Sequence, residues 1–392
     1  MLYTLNKVER ALPSFSETLK KAVAGELLSH DSIVSLLQTR NKGEIQELHE
    51  AAGKITSKVF GNEVSIRGIV EFSNHCEKAC HYCGVPSYTE KGFLIPHDSI
   101  IECCDFMWEK GYRNLVLQSG EVTSEARMNW LTELVNKIFG KFGKEKDTGM
   151  CIILSIGELS YQQYKRLYDL GVQRFLLRVE TSNPSLYEQI HPPDHKWERR
   201  IEALRDLKSI GYVTGTGSMV GLPNQTFDDV ASDIEFFRNG QYPMIGLGPY
   251  VIHSDTVMGK SIIKTTSKDE RKEADDLKVE TTLKVYDVLR LVSPLINLAA
   301  TTALDTLSPG AKAIALTGGS NVVMPIITPK VFRSGYQLYE GKKEVDMDRD
   351  DTHQKVLDLM KKTGKTARFN RWNHPPLFEK LNPNYSERFL TK

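Results

Sequence analysis

The chain has 392 residues, of which 40% are hydrophobic, and its 51 Lys and Arg against 50 Asp and Glu leave a net charge of only +1. This balance offers no basic surface for nucleic acid or an anionic membrane, and no window approaches the roughly 18 apolar residues that a membrane-spanning helix needs. The N-terminal stretch lacks an apolar signal-peptide core and 6 cysteines are too few for a disulfide-stapled domain, so we expect a reduced, cytoplasmic protein, with an organelle as the open alternative.

Residues 1–63 place apolar side chains such as Leu19, Val23 and Leu27 at helical spacing, which predicts an N-terminal helical layer. Between residues 64 and 330, short apolar runs alternate with amphipathic helical stretches. This alternation predicts an α/β fold, a (βα)8 TIM-type barrel, and residues 331–392 are expected to form a C-terminal extension that packs on the barrel. The candidate strands are residues 64–72, 114–118, 151–154, 174–178, 213–218, 244–248, 297–301 and 321–324.

Small, polar or charged residues directly follow most of these strands. Residues 118–121 come after the second strand, residues 155–158 after the third and residues 178–181 after the fourth. The carboxyl ends of barrel strands meet at one mouth, where barrel enzymes place their active sites. We therefore expect these side chains to gather around one site.

Three cysteines follow the first strand at the spacing Cys76-x3-Cys80-x2-Cys83. The short intervals allow three sulfurs to converge on one small inorganic group, and no fourth cysteine lies nearby. Since a cubane [4Fe-4S] cluster is normally held by four cysteines, one iron would stay open to a small molecule. A zinc site completed by His75 or His81 is the alternative, and three unrelated core cysteines would be a coincidence.

The cysteine motif, with Tyr82 before its last cysteine, resembles the signature loop of the radical S-adenosylmethionine (SAM) enzymes. The resemblance implies that Cys76, Cys80 and Cys83 bind a [4Fe-4S] cluster and that SAM chelates the open iron. It also implies that an electron from the cluster cleaves SAM to a 5′-deoxyadenosyl radical, so that the cofactors supply the chemistry and the protein directs it.

The same resemblance assigns SAM contacts to residues after the later strands. Glu121 ends a motif similar to the family's GGE sequence, where a carboxylate suits the amino group of SAM. Glu180 is implied for the ribose hydroxyls, and Arg200 for the carboxylate, because a planar guanidinium can donate two parallel hydrogen bonds. The adjacent Arg199 is the alternative candidate for the carboxylate of SAM. The cofactor contacts implied are Tyr82, Gln118, Ser119, Gly120, Glu121, Glu180, Arg200 and Met219.

Several short runs resemble, in the same order along the chain, the HydE proteins, which are radical SAM maturases of the [FeFe]-hydrogenase active-site cluster. The runs begin at residue 66 and end at residue 339. The resemblance implies a closed barrel in which the radical attacks the sulfur of a cysteine-ligated iron complex bearing CO and cyanide. It also implies an electron donor such as ferredoxin or flavodoxin, and partner maturases. The residues expected to face this anionic substrate are Arg67, Arg178, Thr301, Thr302 and Tyr339.

Several features depart from the family pattern, among them the following two. The last cysteine is Cys151, so the second cysteine triad that some relatives carry cannot form, and Val179 stands where relatives often have histidine. These differences keep a sibling radical SAM enzyme with an organic substrate, similar to methylornithine synthase or biotin synthase, as the alternative. A zinc-stabilised binding module without catalysis is the alternative from another class.

Overall fold

The computed structural model describes residues 5–6, 8–85, 92–342 and 345–383. Its N-terminal helices are Phe15–Ala24 (α1), His30–Gln38 (α2) and Lys42–Phe60 (α3). Side-chain caps start two of them, because Ser29 accepts a hydrogen bond from the backbone of Ser32 and Asn41 accepts one from that of Gly43. These three helices lie against two helices of the main domain, residues 227–239 and 268–292, and so form the predicted layer.

The strands form one curled sheet in which every pairing between named strands is parallel. The strands are Glu63–Ile66 (β1), Gly68–Ser73 (β2), Asn114–Ser119 (β3), Cys151–Ser155 (β4), Arg174–Leu176 (β5), Val213–Thr216 (β6), Met219–Val220 (β7), Met244–Pro249 (β8), Asn297–Ala300 (β9), Val322–Val323 (β10) and Thr366–Arg368 (β11). Around the sheet the order is β2, β3, β4, β5, β6, β8, β9, β10, β1 and β11, and β7 pairs with β8.

The first predicted strand closes the ring of pairings. It is interrupted at Arg67, so that β1 pairs with β10 whereas β2 pairs with β3. Ile69 lies at the junction and has partners on both sides, Val116 on β3 and Ile326 after β10. The eight predicted strand positions are therefore joined into one barrel, and the predicted (βα)8 class is confirmed.

Helices connect the strands and cover the outside of the sheet. Several begin with a reciprocal capping box, in which Ser160, Thr226 and Ser267 exchange hydrogen bonds with the residue three positions later. No helix in the described part of the chain is long and apolar enough to cross a membrane. These helices are His97–Glu109 (α4), Glu125–Phe142 (α5), Tyr161–Leu170 (α6), Pro184–Ile190 (α7), Trp197–Ile210 (α8), Phe227–Asn239 (α9), Val257–Thr265 (α10), Lys268–Val292 (α11), Thr302–Leu307 (α12), Ala311–Thr317 (α13), Lys330–Arg333 (α14), Arg349–Thr363 (α15) and Pro376–Leu381 (α16).

The C-terminal segment seals the amino end of the barrel. The indole of Trp372 is fully buried and packs against Val116, Cys151 and Ile153, which lie on the inner face of β3 and β4. Its Nε1 donates a hydrogen bond to the carbonyl of Gly149 at 2.6 Å, and its own carbonyl accepts one from Arg174 at 2.8 Å. This plug fills the end opposite the strand ends that carry the predicted site residues.

Candidate active site

A cavity of about 300 Å³ lies at the carboxyl ends of the barrel strands. Its wall combines the cysteine loop, residues of β2, β3, β4, β5, β7, β8 and β9, and the chain after α14. Arg67 is the one predicted site residue that does not line it, because its guanidinium lies deeper, inside the barrel. The predicted residues on the wall are Cys76, Cys80, Tyr82, Cys83, Gln118, Ser119, Gly120, Glu121, Arg178, Glu180, Arg200, Met219, Thr301, Thr302 and Tyr339.

The three cysteines of the loop are half-buried and free. Burial raises the pKa of Cys76, raises that of Cys80 to about 12 and raises that of Cys83 well above its ordinary value. Thiolates are therefore unfavourable here without a positively charged partner. A bound metal group is such a partner, because thiolates are the form that ligates iron and zinc. The raised pKa values therefore argue against a free nucleophile in this loop.

The spacing of the sulfurs favours a cluster over a single ion. Among the described residues, one set alone has three ligand atoms within 4.8 Å of one another, and it comprises Cys80, His191 and His195. The three cysteine sulfurs are consequently spread more widely than the ligands of one zinc ion. Neither His75 nor His81 completes a compact site in the described chain. The donor set therefore fits a group of several irons held by Cys76, Cys80 and Cys83.

Gly120 and Glu121 bring the end of β3 against the cysteine loop. A Cβ on Gly120 would collide with the carbonyl oxygen of His75 and with Cys76, so glycine is required for this close approach. The backbone nitrogen of Glu121 donates a hydrogen bond to Cys76 Sγ at 3.3 Å. Burial raises the pKa of the Glu121 carboxyl, whose Oε2 accepts a hydrogen bond from the backbone of Glu158 at 2.7 Å.

Arg200, rather than Arg199, is the arginine on the cavity wall. Its Nε donates to Oε1 of Glu158 at 2.5 Å, and both side chains are about nine-tenths buried. Arg199 instead pairs with Glu202 on the surface of α8, at 2.9 Å. The sequence motif at residues 155–158 had marked the end of β4 as polar, but it had not identified Glu158 as the partner of Arg200.

Glu180 occupies an unusual backbone conformation beside these groups. Its φ is +65°, which a residue other than glycine adopts at a cost of about 1–3 kcal/mol. Its carboxylate lies 2.9 Å from Nη2 of Arg178, and its carbonyl accepts a hydrogen bond from the backbone of Met219 at 2.9 Å. Strain of this kind concentrates at binding sites, and here it turns a carboxylate toward the cavity.

Asp233 on α9 braces the segment that follows Glu180. Its Oδ1 accepts a hydrogen bond from the backbone of Ser182 at 2.6 Å, and the Ser218 side chain also bonds to it. Burial raises the pKa of Asp233 from 3.8 to about 7. Because the folded protein then holds this proton more tightly than the unfolded chain, the free energy of unfolding falls as the pH rises from about 4 to about 7.

The deeper part of the site contains the residues predicted to face the substrate. The hydroxyls of Thr302 and Tyr339 lie 2.9 Å apart, and Thr301 lies beside them on the cavity wall. Below them, Arg67 reaches only the sulfur of Met244, at 3.5 Å, and its Nε and Nη2 have no hydrogen-bond partner within the described chain. Burial lowers the pKa of Arg67 to about 9. An anionic partner would therefore satisfy buried donors that the protein leaves unpaired.

Other wall residues were not identified from the sequence. Lys342 donates to Oε1 of Glu71 at 2.5 Å, and both side chains are 4% exposed, so this ion pair joins β2 to the C-terminal segment inside the site. The pair spans 271 positions along the chain, which no local motif could indicate. His195 also lines the cavity, from the connection between α7 and α8.

Comparisons with known proteins match both the sequence and the fold. The model of the radical SAM superfamily matches residues 70–237. The [FeFe] hydrogenase maturase subunit HydE of Thermotoga maritima is 36% identical over 328 residues, which cover 83% of this chain and 88% of that protein. The 3-methylornithine synthase of Methanosarcina barkeri is 25% identical over 342 residues, covering 87% of this chain and 91% of that one.

The solved structure of methylornithine synthase (PylB) superimposes with a TM-score of 0.73 at 20% identity, over 90% of this chain and 98% of that one. At this identity the likeness concerns the fold alone. The match to the maturase subunit is the strongest of these three, since its 36% identity exceeds the 25% and 20% of the others and it covers 83% of this chain and 88% of that protein.

Proposed function

Because the chain belongs to the HydE family of radical SAM enzymes, we propose that it acts on a sulfur-containing, iron-bound cysteine substrate during assembly of the [FeFe]-hydrogenase active-site cluster. The observation that supports this most is the composition of one cavity, in which the cysteine loop, buried carboxylates and Arg200 face the hydroxyls of Thr301, Thr302 and Tyr339. A cofactor and a substrate could meet there away from water.

Cys76, Cys80 and Cys83 would hold a [4Fe-4S] cluster and leave one iron for SAM. When bound, this group supplies the electron that cleaves SAM to a 5′-deoxyadenosyl radical. The contribution of the protein is to hold the cysteine loop in position. The hydrogen bond from the backbone of Glu121 to Cys76 Sγ fixes the loop against β3, and the close approach of Gly120 keeps the loop at the cavity edge.

The SAM contacts would come from the wall next to the loop. Glu121 would bind the amino group and Arg200 the carboxylate, with Glu158 holding the guanidinium in place. Glu180 would accept hydrogen bonds from the ribose hydroxyls, and Met219, joined to it through the backbone, would contact the adenine. Tyr82, Gln118 and Ser119 complete this part of the wall.

The substrate would lie on the opposite side of the cavity. Thr301, Thr302 and Tyr339 offer hydroxyl groups, Arg178 lies at the boundary with the SAM site, and the unpaired donors of Arg67 lie deeper. Hydroxyls and guanidinium groups suit a carboxylate or a cyanide ligand. We further propose a ferredoxin or flavodoxin as electron donor, partner hydrogenase maturases, and a cytoplasmic location, because six free cysteines persist in a reducing compartment.

The test is anaerobic reconstitution with iron and sulfide, followed by reduction in the presence of SAM. The proposal predicts a [4Fe-4S] signal in electron paramagnetic resonance spectra and formation of 5′-deoxyadenosine. Cys80→Ser should stay folded and form no 5′-deoxyadenosine. A colourless wild-type protein containing stoichiometric zinc would contradict the enzymatic proposal.

A second experiment separates the maturase from its sibling. A cysteine-ligated iron complex with CO and cyanide should raise 5′-deoxyadenosine formation and be converted to an iron–sulfur product. Stimulation by an amino acid and release of 3-methylornithine would instead assign the chain to the activity of the second relative.

A further inference from the structure

Two histidines beside Cys80 have no part in the proposed reaction. His191 and His195 are 1% and 4% exposed, and one ligand atom from each lies within 4.8 Å of the other and of Cys80 Sγ. The Nδ1 atom of His195 is 3.9 Å from that sulfur. The Nε2 atoms of both rings are buried without a hydrogen-bond partner in the part of the chain that the structure describes. Buried polar atoms left in this state indicate a missing partner.

The orientation of His191 is that of a metal ligand. Its Nδ1 lies 2.9 Å from the carbonyl oxygen of Tyr187, so this nitrogen carries the proton and Nε2 presents its lone pair. The ring stacks on Tyr187 with centroids 3.8 Å apart and meets the Tyr82 ring at 88°. Metal-binding imidazoles usually donate a hydrogen bond from their other ring nitrogen, which fixes the tautomer and the orientation of the ring. The carbonyl of Tyr187 accepts this hydrogen bond from His191.

We propose that Cys80, His191 and His195 bind one divalent transition-metal ion, with Zn²⁺ preferred, when the iron–sulfur cluster is absent. One thiolate and two imidazoles are three of the four ligands of a tetrahedral zinc site, and water would be the fourth. Cys80 loses its thiol proton to solvent as the metal–sulfur bond forms, and no redox change is needed.

Cys80 would be a ligand both of this ion and of the cluster, so binding of the ion should affect cluster assembly. This consequence, unlike the metal site itself, rests on the proposed function. Cys80 cannot complete the [4Fe-4S] ligand set while it binds an ion with His191 and His195. Zinc at this position would therefore hold the protein in a cluster-free state. The site acts as a competitor of cluster loading rather than as a second cofactor of the finished enzyme.

The direct test uses the full chain carrying Cys76→Ser and Cys83→Ser, which keeps Cys80 as the one thiolate of the loop. Anaerobic titration with Co²⁺ should saturate at one equivalent, with the intense visible bands of tetrahedral cobalt and a charge-transfer band from a single thiolate. Adding His191→Phe keeps the ring contacts but removes the nitrogen. Since loss of an outer-shell partner alone costs about 10–100-fold in metal affinity, loss of this ligand should weaken Co²⁺ binding by about 100-fold or more. His195→Phe should do the same.

His81→Ala is the matched control, because His81 lies in the same loop and its Nδ1 contacts the carbonyl of Gln189 rather than the donor set. This variant should bind Co²⁺ like its parent. Circular dichroism checks that each variant is folded. Absence of Co²⁺ binding in the folded double variant, or binding unchanged by His191→Phe, would overturn the proposal without bearing on the cluster.

The consequence for assembly is measured in the otherwise unmodified protein. One equivalent of Zn²⁺ added before iron and sulfide should suppress formation of the cluster absorbance, and His191→Phe should be resistant to this suppression. Equal suppression in both proteins would show that zinc acts elsewhere. A wild-type protein that forms no cluster even without zinc would contradict the proposed function, while the Co²⁺ titration would still test the metal site.

Discussion

Breaking the buried ion pair between Glu158 and Arg200 is expected to destabilise the protein far more than breaking the neighbouring surface pair between Arg199 and Glu202. The Glu158 and Arg200 side chains are 10% and 8% exposed, with Nε and Oε1 2.5 Å apart. Glu158→Gln keeps the shape and an acceptor oxygen but leaves the buried guanidinium of Arg200 without its ion-pair partner. Removing one partner of a buried pair costs about 3–5 kcal/mol, so the free energy of unfolding should fall by about 3 kcal/mol or more.

The adjacent arginine supplies the control. Arg199 and Glu202 form an ion pair at 2.9 Å, but their side chains are 36% and 64% exposed, so Glu202→Gln should cost about 1 kcal/mol or less. Urea unfolding of cluster-free protein, followed by circular dichroism under anaerobic conditions, measures both values. A Glu158→Gln variant no less stable than Glu202→Gln would refute the view that Glu158 compensates the buried charge of Arg200.

Two further predictions concern stability elsewhere in the barrel. Burial raises the pKa of Asp233 to about 7, so the wild-type protein should lose stability between pH 5 and pH 7. Asp233→Asn should remove part of this loss, up to about 1.4 kcal/mol per pH unit. The urea midpoint measured against pH checks this, and an unchanged profile in the variant would contradict the assignment. Trp372→Ala should lower the free energy of unfolding by about 3–5 kcal/mol, because the indole is fully buried. Leu381→Ala is the control and should change it by about 0.5 kcal/mol, because that residue is 43% exposed. Equal losses in the two variants would contradict the role of Trp372 as a plug of the barrel.

The barrel was predictable because its strands are buried on both faces and therefore appear as continuous apolar runs between amphipathic helices. The interruption at Arg67 was not, since it depends on where β10 and β3 lie in space. The predicted strand at residues 321–324 is reduced to Val322–Val323 for a similar reason, because pairing rather than apolarity sets its length. The division of the chain at residues 63 and 330 stays a prediction.

Local motifs located the site, but they did not identify its internal pairs. The cysteine spacing and the residues after β3 were sufficient to predict a common cavity, in which Gly120 contacts Cys76. The choice between Arg199 and Arg200 required the orientation of α8, which turns one side chain inward and the other to the surface. The roles assigned to these residues in binding SAM and substrate stay predictions.

The pairs that were missed join distant parts of the chain. Lys342 and Glu71 come together because the segment after α14 folds over the barrel mouth. His191 and His195 reach Cys80 because the connection around α7 returns to the cysteine loop. Neither arrangement has a local sequence pattern, because each depends on contacts between residues more than 100 positions apart.

The central claim is that three cysteines leave one iron open for SAM at this cavity. Electron–nuclear double resonance of the reduced, reconstituted protein, with SAM carrying ¹⁵N at its amino group, measures this most directly. The account predicts a ¹⁵N hyperfine coupling to the cluster that is present with SAM and lost in Cys80→Ser. A reduced cluster whose spectrum shows no ¹⁵N coupling when SAM is bound would contradict it.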